Sequence, residues 1–526
     1  MRKTTSYGSH NAEMSSDDNN SNDYLVVDGT QVAAQISNPA NEDEVGYTTS
    51  IAQKIKSHTQ EQGADNTPTT LKLLTFNTWG LKYVSKFRKE RLRAIADKLA
   101  GLDTGVPLKE EQTFTGSSFD SQNETLDYDV VALQEIWCQE DWDYLVMRTK
   151  QIYPFQRWFS SGILTGPGLA ILSKIPIEET FLYRFPVNGR PSAFWRGDWY
   201  VGKSLSVTIL QSTSKDSKIC LMNSHMHAPY AAQGDAAYYC HRSCQSWDIS
   251  KMIKLYREAG YYVILVGDLN SKPGTLPYRF MTTEGGLTDS WELYHTRADG
   301  SSTSHSLQEI ETMKTIDQIK YGGCTCDSTL NTWRASRLPT EACRLDYALV
   351  DGLKFQALSC GVAFTERIPS IGSYSDHFAY TVTLQLVSPD QPLQMGPMTP
   401  KFKDEELTHM LSLNRLKNYD DMLYVLNDYF ETAYWQKRWR ITHFFASVVF
   451  LVIMVIITTF TSNRAGWSSV LILLASCVVA ITGLTNGFIG FLFGQKEIRA
   501  LKEVEQEVRD SKQGLQLRMH MDKVLS

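Results

Sequence analysis

The sequence has no surplus of positive charge. Its 52 Lys+Arg against 58 Asp+Glu leave a formal net charge of −6, which argues against a domain that holds DNA by bulk electrostatics. It also lacks a cysteine framework. Nine cysteines, an odd number, lie at 138, 220, 240, 244, 324, 326, 343, 360 and 477. Neither close pair has a partner pair at zinc spacing, so free thiols in a reducing compartment are expected. Residues 1–20 carry no apolar core, so no secretory signal is expected there. No internal repeat is visible. With 42% apolar and 21% charged residues, the chain is neither collagenous nor disordered throughout, and it holds enough apolar side chains for a real core.

Order along the chain is uneven. Residues 1–70 are rich in Ser, Asn, Asp, Gln and Thr. Such a stretch buries too little apolar surface to offset its ordering entropy, and a disordered polar tail is expected. LKLLTFNTWG, from Leu71, reads as a buried strand entering a loop. KFRKERLRAIADKLA (86–100) reads as a helix with Leu92, Ile95, Ala96 and Leu99 on one face. Residues 101–127 read as a polar surface insertion. YDVVALQEIW (128–137) is a near-continuous apolar strand, as when both sheet faces are covered. Further strands are expected at 168–172, 204–210, 218–223, 262–266, 345–350 and 378–386, with a helix over 236–257. Strands alternating with helices mean α/β. The domain spans 71–388 and ends in a proline-containing stretch. Residues 389–440 read as a linker and juxtamembrane helix.

The composition then changes. ITHFFASVVFLVIMVIITTF (441–460) and WSSVLILLASCVVAITGLTNGFIGFLF (467–493) contain no Asp, Glu, Lys or Arg. Each is long enough to cross a bilayer, and the six-residue gap between them makes a hairpin. Lys437, Arg438 and Arg440 precede the first span and seven basic residues follow the second, while the loop holds only Arg464. By the positive-inside rule both ends are expected in the cytosol. The charged tail 494–526 suits either anionic headgroups or solvent.

Five segments place polar residues at the ends of apolar strands, where α/β proteins build sites. They are Asn77 in FNTWG, Glu135 in ALQEIW, His225 in NSHMHAPY, Asp268 and Asn270 in VILVGDLNSKP, and Asp376 with His377 in YSDHFAY; Asp346 in RLDYALV lies just upstream of the last. Singly each is an ordinary cap or turn residue. Together, hard oxygen ligands suit Mg²⁺ or Mn²⁺ rather than zinc. Two histidines beside them suit water activation in phosphoester hydrolysis.

The order N…QE…SH…GDLN…LDY…SDH resembles that of the DNase I-like endonuclease/exonuclease/phosphatase superfamily. NTWGLKYVSKFRKERLRAI, QEIWCQEDWDYL, RGDWYVGKSL, SHMHAPY and YSDHFAYTVTL are similar to the neutral sphingomyelinases. The polar tail and the two C-terminal spans look most like the fungal inositol phosphosphingolipid phospholipase C branch. The resemblance implies a four-layer sandwich of two β-sheets flanked by helices, tethered by a transmembrane hairpin. It implies that Glu135 binds Mg²⁺, with Mn²⁺ as a substitute. It places Asn77 beside the metal or the phosphate, and Asp268 and Asn270 on the phosphate and the attacking water, with Asp268 beside a second metal. His377 is the expected general base, with Asp346 or Asp376 orienting a catalytic histidine. His225, with His227 as its rival, stabilises the phosphate or assists the leaving group; His241 reads as structural.

Residues 160–174 end in Lys174 but lack G-x-x-x-x-G-K-[ST], and read as a loop entering a core strand with lipid phosphate as the alternative. Trp195 and Trp199 belong either to the core or to a lipid grip, with Lys203 near the headgroup. The expected activity is phospholipase C-type hydrolysis of phosphosphingolipids, giving ceramide. A phosphoinositide phosphatase, a nuclease and a membrane-tethered lipid-binding module without catalysis are the alternatives. Partners are the lipid substrate, the membrane and an activating anionic phospholipid, with no nucleic acid. Location is the endoplasmic reticulum or the mitochondrial outer membrane. Headgroup preference, metal count and oligomeric state stay open.

Overall fold

The computed structural model describes residues 70–102, 127–163, 165–211, 218–296, 301–387 and 404–525. The polar tail up to residue 69, residues 103–126 of the expected insertion and the stretch 388–403 lie outside the described residues.

Fourteen strands are described: β1 Thr70–Asn77, β2 Val130–Gln134, β3 Phe155–Trp158, β4 Ala170–Ser173, β5 Ile177–Arg184, β6 Ser204–Leu210, β7 Ile219–His225, β8 Tyr262–Asp268, β9 Thr288–Asp289, β10 Asp346–Val350, β11 Phe355–Ala363, β12 Arg367–Ile368, β13 Gly372–Ser373 and β14 Ala379–Leu386. The longer helices are α1 Arg88–Leu99, α2 Gln139–Thr149, α3 Tyr239–Glu258, α4 Asp404–Thr461, α5 Gly466–Phe488 and α6 Gly494–Leu525. One sheet runs β11-β14-β1-β2-β4-β3 and the other β5-β6-β7-β8-β10-β9. β1 pairs parallel with β2, and β7 with β8.

Covered faces explain the near-continuous apolar strands. Leu73, Val130, Ile171 and Val382 of the first sheet interlock with Leu221, Ile264 and Ala348 of the second. On the outer face of the first sheet, Leu92, Ile95 and Leu99 of α1 cover Leu74, Val131 and Leu133. On the outer face of the second, Ile249 and Ile253 of α3 cover Met222, Val263 and Leu265. The layers are therefore helix, sheet, sheet, helix.

The register builds the site. His225 stands opposite Asp268, and Asp268 opposite Asp346. Three chemical side chains thus share one row across β7, β8 and β10. Asn77 stands opposite Gln134 at the matching end of the first sheet, and Glu135 follows at once.

The expected juxtamembrane helix and both apolar runs are helical. Residues 404–461 form one helix, so the juxtamembrane segment and the first span are continuous. The second apolar run passes through a π-helical turn, Ile489–Phe493, into α6. The apolar windows of these helices have mean hydropathy 2.6 and 2.2 and are only 6% buried. Gly483, Gly487 and Gly490 let the two helices touch, since a Cβ at each would lie 2.5–2.9 Å from Ser447, Phe444 and Ile441 respectively.

α6 is neither a solvated tail nor a lipid-facing one along its whole circumference. Its Ile498, Leu501, Val504 and Val508 bury against Met422, Leu426 and Tyr429 of α4 and against Cys244 and Trp247 of α3. Glu507 accepts from Trp247 Nε1 at 2.7 Å and pairs with Lys251 at 2.5 Å. This docking ties the sandwich to the end of the helical hairpin opposite its 462–465 loop.

Candidate active site

Both sheets end their central strands at one edge, and sharp turns aim the side chains inward. Glu135 and Asn270 adopt φ of 64° and 46°, a left-handed conformation that costs energy and clusters at functional sites. Asn77 Nδ2 donates to Glu135 Oε1 at 3.2 Å and to Asp268 Oδ2 at 3.0 Å. Its Oδ1 accepts from Trp79 N at 3.0 Å, which fixes the amide with its nitrogen toward the carboxylates. As drawn, Asn77 is a donor to the acidic pair rather than an oxygen ligand.

His377 Nδ1 meets Asp346 Oδ2 at 2.8 Å, and its Nε2 lies 3.9 Å from Asp268 Oδ2. Of the two candidate aspartates, Asp346 is the one bonded to His377. Asp346 orients His377, whereas Asp376 pairs with Arg334 at 2.5 Å. His225 Nε2 lies 3.4 Å from Asp268 Oδ2 and 4.0 Å from Glu135 Oε1. Asn270 donates through Nδ2 to the Met226 carbonyl, and its backbone N–H donates to Asp268 Oδ1, each at 3.0 Å.

Burial sets the charges. It pushes the Asp268 carboxyl up to about 7, with Asp346 adding and His377, Asn77 and Lys203 opposing. Glu135 is raised by burial and by Asp376, against Lys203. His225 falls well below its usual value through burial, Lys203 and His377, so it stays neutral. Burial alone would lower His377, but Cys326, Asp346 and Asp268 outweigh it and hold the ring well above 6.5.

The residues fit a hard divalent cation. Part-buried Glu135 and buried Asp268 converge on the Asn77 amide nitrogen, and ligand atoms of Asp268, Asp346 and His377 lie within 4.8 Å of one another. Oxygen donors of this kind suit Mg²⁺ or Mn²⁺. His377 is already engaged by Asp346, which leaves Glu135 and Asp268 as the better-placed oxygens.

The other expected residues fall into distinct places. His227 is not in this cluster: its Nδ1 hydrogen-bonds the Ala228 carbonyl at 2.9 Å and lies 3.3 Å from Asp198 Oδ2, and its ring stacks 3.9 Å from Tyr238. Lys203 is buried 3.4 Å from Asp198, not displayed to a lipid surface. Trp195 is 94% exposed and lines a cavity of about 430 Å³ with Arg196, Trp435, Trp439 and Arg440. Trp199 packs 5.1 Å from Phe493 of the π-helical turn. Lys174 lies away from the site, because β4 runs antiparallel to β2 and ends opposite Val130, where Lys174 pairs with Asp127. His241 bonds Glu497 at 3.1 Å, a structural tie to α6.

Two contributors escaped sequence reading. Asp198 answers the Lys203 charge, and its segment Gly197–Ser204 has the G-x-x-x-x-G-K-S spacing that 160–174 lacks; the chain there forms a short helix and enters β6. Cys326 Sγ sits 3.4 Å from His377 Nε2, a contact with no local sequence signal.

Comparison with known proteins agrees with this geometry. The model of the Endonuclease/Exonuclease/phosphatase family matches residues 74–377. The inositol phosphosphingolipids phospholipase C of Saccharomyces cerevisiae is 56% identical over 448 residues, 85% of this chain and 91% of that protein. The protein of the same name from Schizosaccharomyces pombe is 34% identical over 84% of this chain and 94% of its own length. Mouse sphingomyelin phosphodiesterase 2 is 30% identical over 42% of this chain and 46% of that protein. The chain therefore belongs to the endonuclease/exonuclease/phosphatase family, in the branch that holds the inositol phosphosphingolipid phospholipases C.

Proposed function

We propose that the chain is a Mg²⁺-dependent phospholipase C that hydrolyses phosphosphingolipids, inositol phosphoceramides and sphingomyelin among them, to ceramide and a phosphorylated headgroup. The observation that carries this reading is the His377–Asp346 pair beside the Asp268 and Glu135 carboxylates, in a chain 56% identical to a protein so named.

The chain's own residues supply most of the chemistry. Asp346 holds His377 with Nε2 toward the cleft and stabilises the imidazolium formed when Nε2 takes a proton from water. That water attacks phosphorus, and the ceramide oxygen leaves. Neutral His225 and the remaining Asn270 amide hydrogen stand where donors to phosphoryl oxygens belong, Asn77 holds the two carboxylates beside them, and Lys203 adds positive potential. A divalent cation on Glu135 and Asp268 supplies Lewis-acid neutralisation of phosphoryl charge.

The hairpin brings this edge to a two-dimensional substrate pool. The sandwich docks on the basic end of the hairpin, so both lie on one side, the cytosolic side by charge. The membrane is that of the endoplasmic reticulum, with the mitochondrial outer surface as the alternative, and anionic phospholipid is the expected activator near the basic juxtamembrane residues.

The test is ceramide release by purified full-length protein in mixed micelles. Inositol phosphoceramide, sphingomyelin and a phosphoinositide are offered separately with Mg²⁺ or EDTA. Metal-dependent ceramide formation, abolished in Glu135→Gln and Asp268→Asn, is expected. Phosphate release from the phosphoinositide without ceramide from either sphingolipid would overturn the reading.

A further inference from the structure

The turn that follows Asn77 puts apolar side chains into water. Residues 78–87 join β1 to α1, and they leave the first sheet at the catalytic edge because β1 ends at Asn77. On this turn Tyr83 is 93% exposed, Val84 63% and Phe87 53%. One exposed apolar side chain is ordinary. Several on one turn, with exposed Lys82 and Lys86 among them, are the composition of a segment that sits at a lipid–water boundary.

The turn is held in place from inside. Trp79, Tyr83 and Phe87 have φ of 48°, 70° and 47°, a conformation costly for bulky side chains. Fully buried Arg91 of α1 staples both ends. Its Nη1 donates to the Thr78 carbonyl at 3.1 Å and to the Tyr374 carbonyl at 2.8 Å. Its Nη2 donates to the Trp79 carbonyl at 2.7 Å, and its Nε to the Lys86 carbonyl at 2.9 Å. The guanidinium also lies 4.6 Å from the Trp79 ring, which packs 5.5 Å from Trp333. Tyr83 and Val84 are thus presented outward by a built scaffold.

The same edge meets the hairpin from the other sheet. Leu205 stands opposite Ser224, next to His225, so the connection from β5 to β6 lies at the catalytic edge. That connection sets Trp199 against Phe493 at the end of the second apolar run. It also sets Trp195 in a cavity with Trp435 and Trp439, just ahead of the first run. The catalytic edge therefore stands at the level where both helices enter the bilayer. The hairpin grips the second sheet's side, since α6 packs on α3, which covers that sheet. The turn 78–87 belongs to the first sheet's side of the same edge. Its lysines complement the anionic cytosolic leaflet, and its apolar tip complements the acyl boundary beneath.

We propose that the turn 78–87 is a second membrane contact. Tyr83 and Val84 enter the acyl boundary, Lys82 and Lys86 meet lipid phosphates, and the catalytic edge is held against the bilayer between this turn and the hairpin. The proposal rests on the reading of 441–460 and 467–493 as membrane spans, and only its kinetic arm rests on the phospholipase C reading.

The test uses full-length protein in nanodiscs of phosphatidylcholine and phosphatidylserine. A nitroxide is attached to Tyr83→Cys in a Cys477→Ser background, because Cys477 is the exposed cysteine among the described residues. Met147→Cys, exposed on α2, is the water-facing control, and labelled Cys477 of the wild type reports on the span itself. Paramagnetic resonance reads access to oxygen against access to a water-soluble nickel chelate. Oxygen is expected to dominate at 83 and 477, and the chelate at 147. Chelate access at 83 equal to that at 147 overturns the second contact, whereas chelate access at 477 overturns the spans.

The kinetic arm pairs Tyr83→Ser with Val84→Ser. On phosphosphingolipid in the nanodisc, kcat/KM should fall about tenfold, while the melting temperature and the rate on a short-chain, water-soluble phosphosphingolipid stay unchanged. An unchanged nanodisc rate, or an equal loss on the short-chain lipid, overturns the proposal. A wild type that forms no ceramide from either lipid overturns the function instead, and the spin-label arm still decides the turn.

Discussion

Two buried histidines beside strand ends, His377 before β14 of the first sheet and His227 after β7 of the second, are shifted in opposite directions. Each faces a carboxylate, at 2.8 Å and 3.3 Å respectively. At His377, Cys326, Asp346 and Asp268 outweigh burial and raise the ring's affinity for a proton. At His227 burial wins and drops the ring to about 3, although Asp198 pulls the other way. The difference lies in what else touches the carboxylate. Asp198 is answered by Lys203 at 3.4 Å and by the Tyr230 hydroxyl at 2.9 Å. Asp346 Oδ1, by contrast, has no hydrogen-bond partner among the described residues. In one cluster the carboxylate is fully engaged by neighbouring groups; in the other a carboxylate oxygen is left without one, which fits the proposed base.

Removing each histidine is the hardest test of that contrast. His377→Ala should lower turnover by about 10²- to 10⁴-fold, the range for a lost general base, with an unchanged melting temperature. His227→Ala should mainly lower melting temperature, because its ring fills a stack against Tyr238. Equal losses of turnover would erase the distinction.

The second test changes the partner. Asp346→Asn removes a negative charge from His377, so its pKa falls. A base acts when neutral, so the acidic limb of kcat/KM should move to lower pH while the plateau drops. A limb that stays in place would show that His377 does not titrate in it.

A smaller effect distinguishes the clusters by stability. His227 has a folded pKa of about 3 against about 6.5 unfolded. Between these values the unfolded chain binds a proton that the folded chain refuses, so stability falls as pH drops below 6.5. The slope is about 1.4 kcal/mol per pH unit for one proton. Denaturant titrations at pH 7 and pH 5 should show this loss in the wild type and less of it in His227→Gln.

The smallest expected effect lies outside both clusters. Trp195→Ala should slow hydrolysis on vesicles a few-fold and leave the melting temperature unchanged, since this side chain is almost wholly exposed. Equal vesicle rates would remove Trp195 from the lipid surface.

The contrast also marks what was legible in the sequence. Strand-end polar residues stand out against apolar runs, so Asn77, Glu135, His225, Asp268, Asn270 and His377 were singled out from local pattern and family resemblance, and the fold brings them together. Which aspartate serves His377 was not, because Asp346 and Asp376 both adjoin strands and only the register opposite Asp268 separates them. Lys174 ends a loop-and-strand segment for which lipid phosphate was the alternative, and β4 runs away from the edge. The docking of α6 was hidden by its charge. Ile498, Leu501, Val504 and Val508 form a narrow apolar stripe among many charged residues, and its partner faces belong to α3 and α4, hundreds and tens of residues distant. Helix and strand type are local properties; pairing of charges and of helix faces is not.

The central claim, water activated by His377 attacking phosphorus, is tested most directly by isotope labelling. Inositol phosphoceramide is hydrolysed by the full-length protein in H₂¹⁸O with Mg²⁺, and both products are analysed by mass spectrometry. One ¹⁸O in the inositol phosphate and none in the ceramide is the predicted result, with both products lost in His377→Ala. Label in the ceramide hydroxyl, or undiminished labelled product from His377→Ala, would contradict it.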